Sequence, residues 1–252
     1  MTIFFIVKSV YVISLKEEFF SKVYFAGHEG NIEGRYHIPS TQSYPAVLIL
    51  PPDPTYGGNI DNNVVVAIEN AFADCGFATL TFNYRGVGNS ASVFRCVGDA
   101  INDSNVALDW FESLCRGATH FWIAGYSFGC WVGSNLVMRR PEVEGFIFVS
   151  PMFKKQDFSI MYPTLCSGLI ITGSEDEFTP MAYTDDCVKN ITNFNNFPVK
   201  LEIIDDTGHL YKGRIDKLKQ TMIEYINLFL ALRIEKPVRK KRRKRKKKDT
   251  LM

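Results

Sequence analysis

The chain has 252 residues, 46% of them hydrophobic and 22% charged, with six cysteines and a formal net charge of +2. That apolar fraction excludes wholesale disorder and a collagen-like or coiled-coil chain, and the length suits one large α/β domain with an ample core. No uninterrupted apolar run approaches the roughly 18–20 residues of a membrane-spanning helix, so no transmembrane segment is expected.

Residues 1–20 begin MTIFFIVKSVYVIS. Lys8 interrupts this apolar stretch, no basic region precedes it and no A-x-A pattern follows, so an N-terminal extension or extra strand is expected rather than a secretion signal. Residues 22–26 and 32–38 flank the turn residues His28-Glu29-Gly30-Asn31 and read as an antiparallel hairpin. Residues 46–50 are a continuous apolar run ended by Pro51-Pro52, as in a buried strand. Residues 62–74 carry apolar side chains at helical spacing, with Gly76 just beyond as a C-terminal cap.

The alternation then repeats: strand 77–84, helix 97–114, strand 120–124, helix 128–139 stopped before Pro141, and strand 145–149. Strand 169–172, helix 181–189, strand 199–204 and a long amphipathic helix over 215–232 complete the series. Strands buried on both faces and separated by helices predict an α/β, doubly wound, mostly parallel sheet, because each parallel crossover needs a covering helix. The early hairpin forms its antiparallel N-terminal edge. One domain is expected over residues 21–235.

The +2 net charge hides two opposite parts. Residues 236–248, KPVRKKRRKRKKK, hold 11 of the 29 Lys and Arg, so 236–252 carries +10 and the rest of the chain −8. Such a block repels itself and cannot bury apolar surface, so a disordered polybasic tail is expected over 236–252. Its charge suits nonspecific contact with nucleic acid or with anionic lipid, and equally a purely solubilising role. The cysteines (Cys75, Cys96, Cys115, Cys130, Cys166, Cys187) form no C-x-x-C pair. They read as small buried hydrophobes kept reduced in the cytoplasm, with no metal site.

Gly125-Tyr126-Ser127-Phe128-Gly129 follows the apolar strand HFWIA and opens a helix. A G-x-S-x-G pentapeptide on a strand-to-helix turn is a nucleophile elbow, which exposes a strained serine above the carboxyl edge of the sheet. A serine hydroxyl needs a base. Of His28, His37, His120 and His209, only His209 lies in a loop between a strand and the last helix, at that same edge. Asp176, after the strand LIIT, is the chosen acid to orient the imidazole, with Glu175 and Glu177 as rivals. Gly86-Val87-Gly88 lacks the full dinucleotide pattern and reads as a tight turn, with Arg85 anchoring its loop, so no cofactor is expected.

With Ser127, Asp176 and His209 in that chain order, residues 25–232 resemble the α/β-hydrolase superfamily, and among them the small, lid-poor bacterial hydrolases near the serine aminopeptidase and acyl-peptidase-like group. The segments PPDPTYGG (51–58), ATLTFNYRGVGNS (78–90), 125–129, 173–180 and HLYKG (209–213) carry the similarity. It implies nucleophile Ser127, acid Asp176 and base His209.

Two departures matter. Where such relatives commonly carry histidines after the third strand, this chain has PPDP; Pro52 and Pro54 lack an N–H. Asp53 is therefore the expected partner of Phe128 in an oxyanion hole of backbone N–H groups, with Tyr56 or Gly57 as alternatives and the Asp53 carboxylate turned away. Residues 153–164 are too few for a helical lid, so the site should be open. The expected activity is hydrolysis of small carboxylic esters or thioesters, the substrate being a small acyl compound. A peptidase or amidase using Glu175, Glu177, Asp185 or Asp186 to receive an amine is the enzymatic alternative. A weakly active or non-catalytic binding protein docking through its basic tail is the other.

Overall fold

The computed structural model describes residues 19–162, 164–193 and 197–234. Residues 1–18 and the basic segment 236–252 lie outside the described residues. In chain order the elements are strands β1 (Ser21–Gly27), β2 (Gly30–His37) and β3 (Tyr44–Leu50), helix α1 (Asn63–Asp74), β4 (Ala78–Phe82), α2 (Val97–Leu114) and β5 (Ala118–Tyr126). There follow α3 (Phe128–Arg139), β6 (Val143–Val149), β7 (Ser167–Gly173), α4 (Met181–Asn193), β8 (Val199–Ile204) and α5 (Ile215–Ile234). Short 3-10 turns at Pro54–Tyr56 and Ser159–Met161 have no counterpart in the sequence expectations.

The strands form one sheet in the order β1-β2-β4-β3-β5-β6-β7-β8. β1 pairs antiparallel with β2, and β2 antiparallel with β4; every other pairing is parallel. The expected architecture and its antiparallel edge are both present.

The run Ala46–Leu50 is apolar throughout because β3 is covered twice. Val47 and Ile49 pack with Val64, Ile68 and Leu218 beneath α1 and α5, whereas Ala46, Leu48 and Leu50 face Leu108, Val132 and Leu136 of α2 and α3. Alternate residues of a strand point to opposite faces, so a strand sandwiched between helix layers has no polar positions to spare. Burying each Val, Leu or Ile side chain there contributes roughly 1.5–3 kcal/mol. On β5, Trp122 is fully buried with ring edges at Phe77 and Phe229, and its register partner is Gly145. A Cβ at Gly145 would come within 2.5 Å of the indole, so the missing side chain is what admits the ring.

The helices begin where local chemistry tells them to. The Asn62 side-chain oxygen accepts from the Val64 N–H at 2.9 Å, a cap contributing about 1 kcal/mol, and Gly76 lies just past the other end of α1 at φ +77°. At α2 the Asp99 carboxylate accepts from the N–H groups of Arg95 and Cys96. The loop after β4 is pinned by Arg85, which is buried and paired with Asp103 at 2.6 Å, Glu29 at 3.0 Å and Asp99 at 3.1 Å. This ties the hairpin turn to α2 across the loop.

All six cysteines are free thiols. Cys115, Cys130 and Cys166 are buried as small hydrophobes, but Cys96 is exposed and Cys75 and Cys187 are half-buried, so the expectation holds for three of them. No helix among the described residues is long and apolar enough to cross a membrane.

Candidate active site

Parallel pairing places the carboxyl ends of β5, β7 and β8 along one edge of the sheet. Ser127, Asp176 and His209 each follow one of those ends. Ser127 sits between β5 and α3 at φ 55°, ψ −114°, a conformation costing a non-glycine residue about 1–3 kcal/mol. Its neighbours hold it there. The Ser127 N–H donates to the Val149 carbonyl at 2.9 Å. A Cβ at Gly129 would lie 2.2 Å from the Leu50 carbonyl oxygen, and one at Gly125 would lie 2.6 Å from the Gly129 backbone. The two glycines of the pentapeptide are therefore required by the close approach of strand end, helix start and β3.

The hydroxyl of Ser127 lies 2.9 Å from His209 Nε2, and His209 Nδ1 lies 3.0 and 3.1 Å from the two oxygens of Asp176. Asp176 Oδ1 also accepts from the N–H groups of Phe178 and Thr179, at 3.0 and 3.2 Å. Burial would push the Asp176 carboxyl up. Hydrogen bonding to His209, the imidazole's charge, and further bonds from Ser150 and Thr179 outweigh it and hold the pKa below the ordinary value. An ionised carboxylate only accepts, so Nδ1 donates, and in the neutral imidazole Nε2 is left to accept a hydrogen bond from the Ser127 hydroxyl. Glu175 and Glu177 are exposed, which removes them as rivals for this contact.

The imidazole is held on both sides. The Tyr126 ring lies 5.3 Å from it at a 33° tilt, and Phe178 presents its edge at 5.0 Å. Below the acid, fully buried Tyr211 shares a 2.9 Å hydrogen bond with Ser150, each at positive φ. Sequence reasoning passed over Tyr126, Ser150, Phe178 and Tyr211. The signal for Tyr126 was its place inside the pentapeptide, and for Ser150 its place at the carboxyl end of β6.

In the loop after β3, the Tyr56 and Gly58 N–H groups donate to the Asp53 carbonyl and the Gly57 N–H to that of Pro54. Those alternatives are spent on the 3-10 turn. Among the described residues, neither the Asp53 nor the Phe128 backbone N–H has an acceptor. The Asp53 carboxylate is drawn to Thr55, accepting from its N–H at 2.8 Å and its hydroxyl at 2.7 Å, and so caps the turn.

A cavity of about 500 Å³ opens over Ser127 and His209, walled by the 52–58 loop, by Met152, Lys155 and Gln156 after β6, and by Phe178 and Leu210. The Lys155 ammonium stands 4.5 Å above the Phe178 ring. Glu175, Glu177, Asp185 and Asp186 do not line this cavity; Asp53 is its acidic wall residue. Among the described residues no group of three or more His, Cys, Asp or Glu is placed to hold a metal ion. His37 bonds the Phe19 carbonyl and His120 the Thr119 hydroxyl, so both belong to packing at strand ends away from the cavity.

A family model described as serine aminopeptidase, S33, matches residues 57–169, a span that contains Ser127 and stops before Asp176 and His209. An uncharacterized Rickettsia prowazekii protein is 34% identical over 210 residues, covering 81% of this chain and 88% of its own. The structure of a proposed α/β hydrolase of unknown function from Agrobacterium tumefaciens matches with a TM-score of 0.80 at 35% identity, covering 83% of this chain and 96% of that one. An α/β serine hydrolase without a lid from Xanthomonas campestris matches with a TM-score of 0.71 at 21% identity, over 86% of this chain and 98% of that one, a likeness of fold. With an elbow serine at the carboxyl edge of this sheet and relatives of this kind along four-fifths of its length, the chain belongs to the α/β-hydrolase superfamily, among its small serine hydrolases without a lid.

Proposed function

We propose that the protein hydrolyses small carboxylic esters or thioesters through an acyl-enzyme on Ser127, with His209 as base and Asp176 as its orienting acid. The observation that carries this reading is the unbroken hydrogen-bonded line from Ser127 Oγ through the imidazole to a buried, ionised carboxylate. His209 Nε2 takes the serine proton as Oγ bonds to the acyl carbon, and the carbonyl oxygen becomes an oxyanion received by the N–H groups of Phe128 and Asp53. The carbon–oxygen or carbon–sulfur bond to the leaving group then breaks, and the leaving group departs with the proton from Nε2. Water attacks the acyl carbon, passing its proton to Nε2, and the Oγ–carbon bond breaks as the serine takes that proton back.

The open cleft and the separation of Glu175, Glu177, Asp185 and Asp186 from it support esters over aminoacyl substrates. The matched family's description supports the alternative, a peptidase or amidase, for which Asp53 is the acid within reach of a substrate amine. The body would act in the cytoplasm, with residues 21–235 as the catalytic domain and residues 236–252 as a solvated arm.

The test is labelling with a fluorescent alkyl fluorophosphonate, followed by panels of p-nitrophenyl esters, acyl thioesters and aminoacyl amides. Labelling of the native chain that is lost in Ser127→Ala, with turnover of esters, supports the proposal. Turnover confined to aminoacyl amides would move it to the peptidase reading. Folded protein that takes no label would leave the scaffold as a binding protein.

A further inference from the structure

The edge of the sheet opposite the candidate active site carries a second large concavity, of about 930 Å³, where α5 runs out beside the first residues of β6, β7 and β8. Leu165, Phe197, Leu228 and Leu232 line it and are each between 42% and 55% exposed. Four large apolar side chains gathered on one exposed face mark a contact surface rather than a scatter of tolerated residues. Glu144 and Lys200 are the charged residues on its wall, and Lys200 pairs with Glu202.

The residues beyond α5 decide the occupant. That helix ends at Ile234, and residues 236–248 add eleven positive charges directly after the element that forms this face. We propose that the apolar face and the basic segment together bind an anionic lipid surface. Leu228, Leu232, Leu165 and Phe197 meet the acyl boundary, and the Lys and Arg side chains meet the headgroups. Neither signal suffices alone: apolar area of this size gives weak, reversible binding, and a basic run without apolar contact adsorbs without fixed orientation. A nucleic acid would use the lysines and arginines but gain nothing from exposed leucines. The rest of the chain carries a net charge of −8, so attraction to such a surface is concentrated in the basic segment that follows this face. The proposal does not rest on the esterase reading.

The test is co-sedimentation of the full chain with vesicles of phosphatidylcholine alone and with added phosphatidylglycerol, beside truncation after Glu235 and the double substitution Leu228→Glu/Leu232→Glu. Both leucines are exposed, and an unchanged thermal transition checks that the double variant folds. Binding to the anionic vesicles that is lost on truncation and weakened about tenfold or more by the double substitution bears the proposal out. Binding insensitive to Leu228 and Leu232 would overturn it in favour of simple adsorption by the basic segment. Preference for poly(U) over anionic vesicles would assign that segment to nucleic acid. A concentration-dependent dimer abolished by the double substitution would seat a second copy on the face. Each of these last two results also overturns the proposal.

Discussion

Tyr126 and His209 are joined twice: the tyrosine hydroxyl donates to the His209 carbonyl at 2.9 Å, and the tyrosine ring lies along the imidazole. The residue beside Ser127 thus fixes the loop that carries His209, across 83 positions of sequence. Tyr126→Phe keeps the ring and removes the tie. Turnover should fall by roughly tenfold with KM little changed, and stability by about 1 kcal/mol. Steady-state kinetics with a p-nitrophenyl ester and a thermal melt measure both; an unchanged kcat would deny Tyr126 a positioning role.

Asp176→Asn keeps the shape of the acid and its bonds from Phe178 and Thr179 but no longer compels Nδ1 to carry the proton. Turnover should drop by about 10⁴ while the fold survives. The same variant tests a stability effect. Because the folded-state pKa of Asp176 is depressed, its contribution is fully present above the ordinary carboxyl value and is lost as pH falls through the folded one. The native melting temperature should therefore decline on the acid side more steeply than that of Asp176→Asn. Parallel curves would contradict it.

Gly129→Ala would place a methyl group against the Leu50 carbonyl, where no side chain can yield. We expect a loss of about 3 kcal/mol and of fluorophosphonate labelling together, since moving α3 away from β3 also moves Ser127. A variant that melts like the native chain would mean that the elbow is less tightly packed than its geometry requires.

Arg85→Met leaves Asp103 buried without its partner, at a cost of about 3–5 kcal/mol in denaturant unfolding. Removing both charges, in Arg85→Met/Asp103→Leu, should recover much of that loss. A double variant no more stable than the single one would show that the pair's value lies instead in its backbone contact, the Arg85 N–H to Asp103.

Most of the fold was legible because its central strands are buried on both faces. Continuous apolar runs such as Ala46–Leu50 and helical spacings such as Val97–Leu114 are dictated locally, and the structure follows them closely. The elbow was legible for a similar reason: Gly125 and Gly129 answer a steric demand that only glycine meets. The choice of Asp176 over its two acidic neighbours was a different matter. All three side chains lie within one turn, and only the burial of the middle one separates them. The 3-10 turn at Pro54–Tyr56 was hidden because it depends on Asp53 capping it, a use of that carboxylate the prolines do not announce. Ser150 and Tyr211 were hidden because their meeting joins residues 61 positions apart.

The cleft over Ser127 is bounded by a loop whose Tyr56 is 89% exposed and by the half-exposed Leu210, with no cover among the described residues. An acyl group held on the serine would stand in contact with the surrounding solution. Its fate would then be a matter of competition: each acceptor in the medium, water or alcohol, would take a share set by its concentration and nucleophilicity rather than by a sieve in the protein. Added methanol should divert product from acid to methyl ester in linear proportion, a partition that a closed site would suppress.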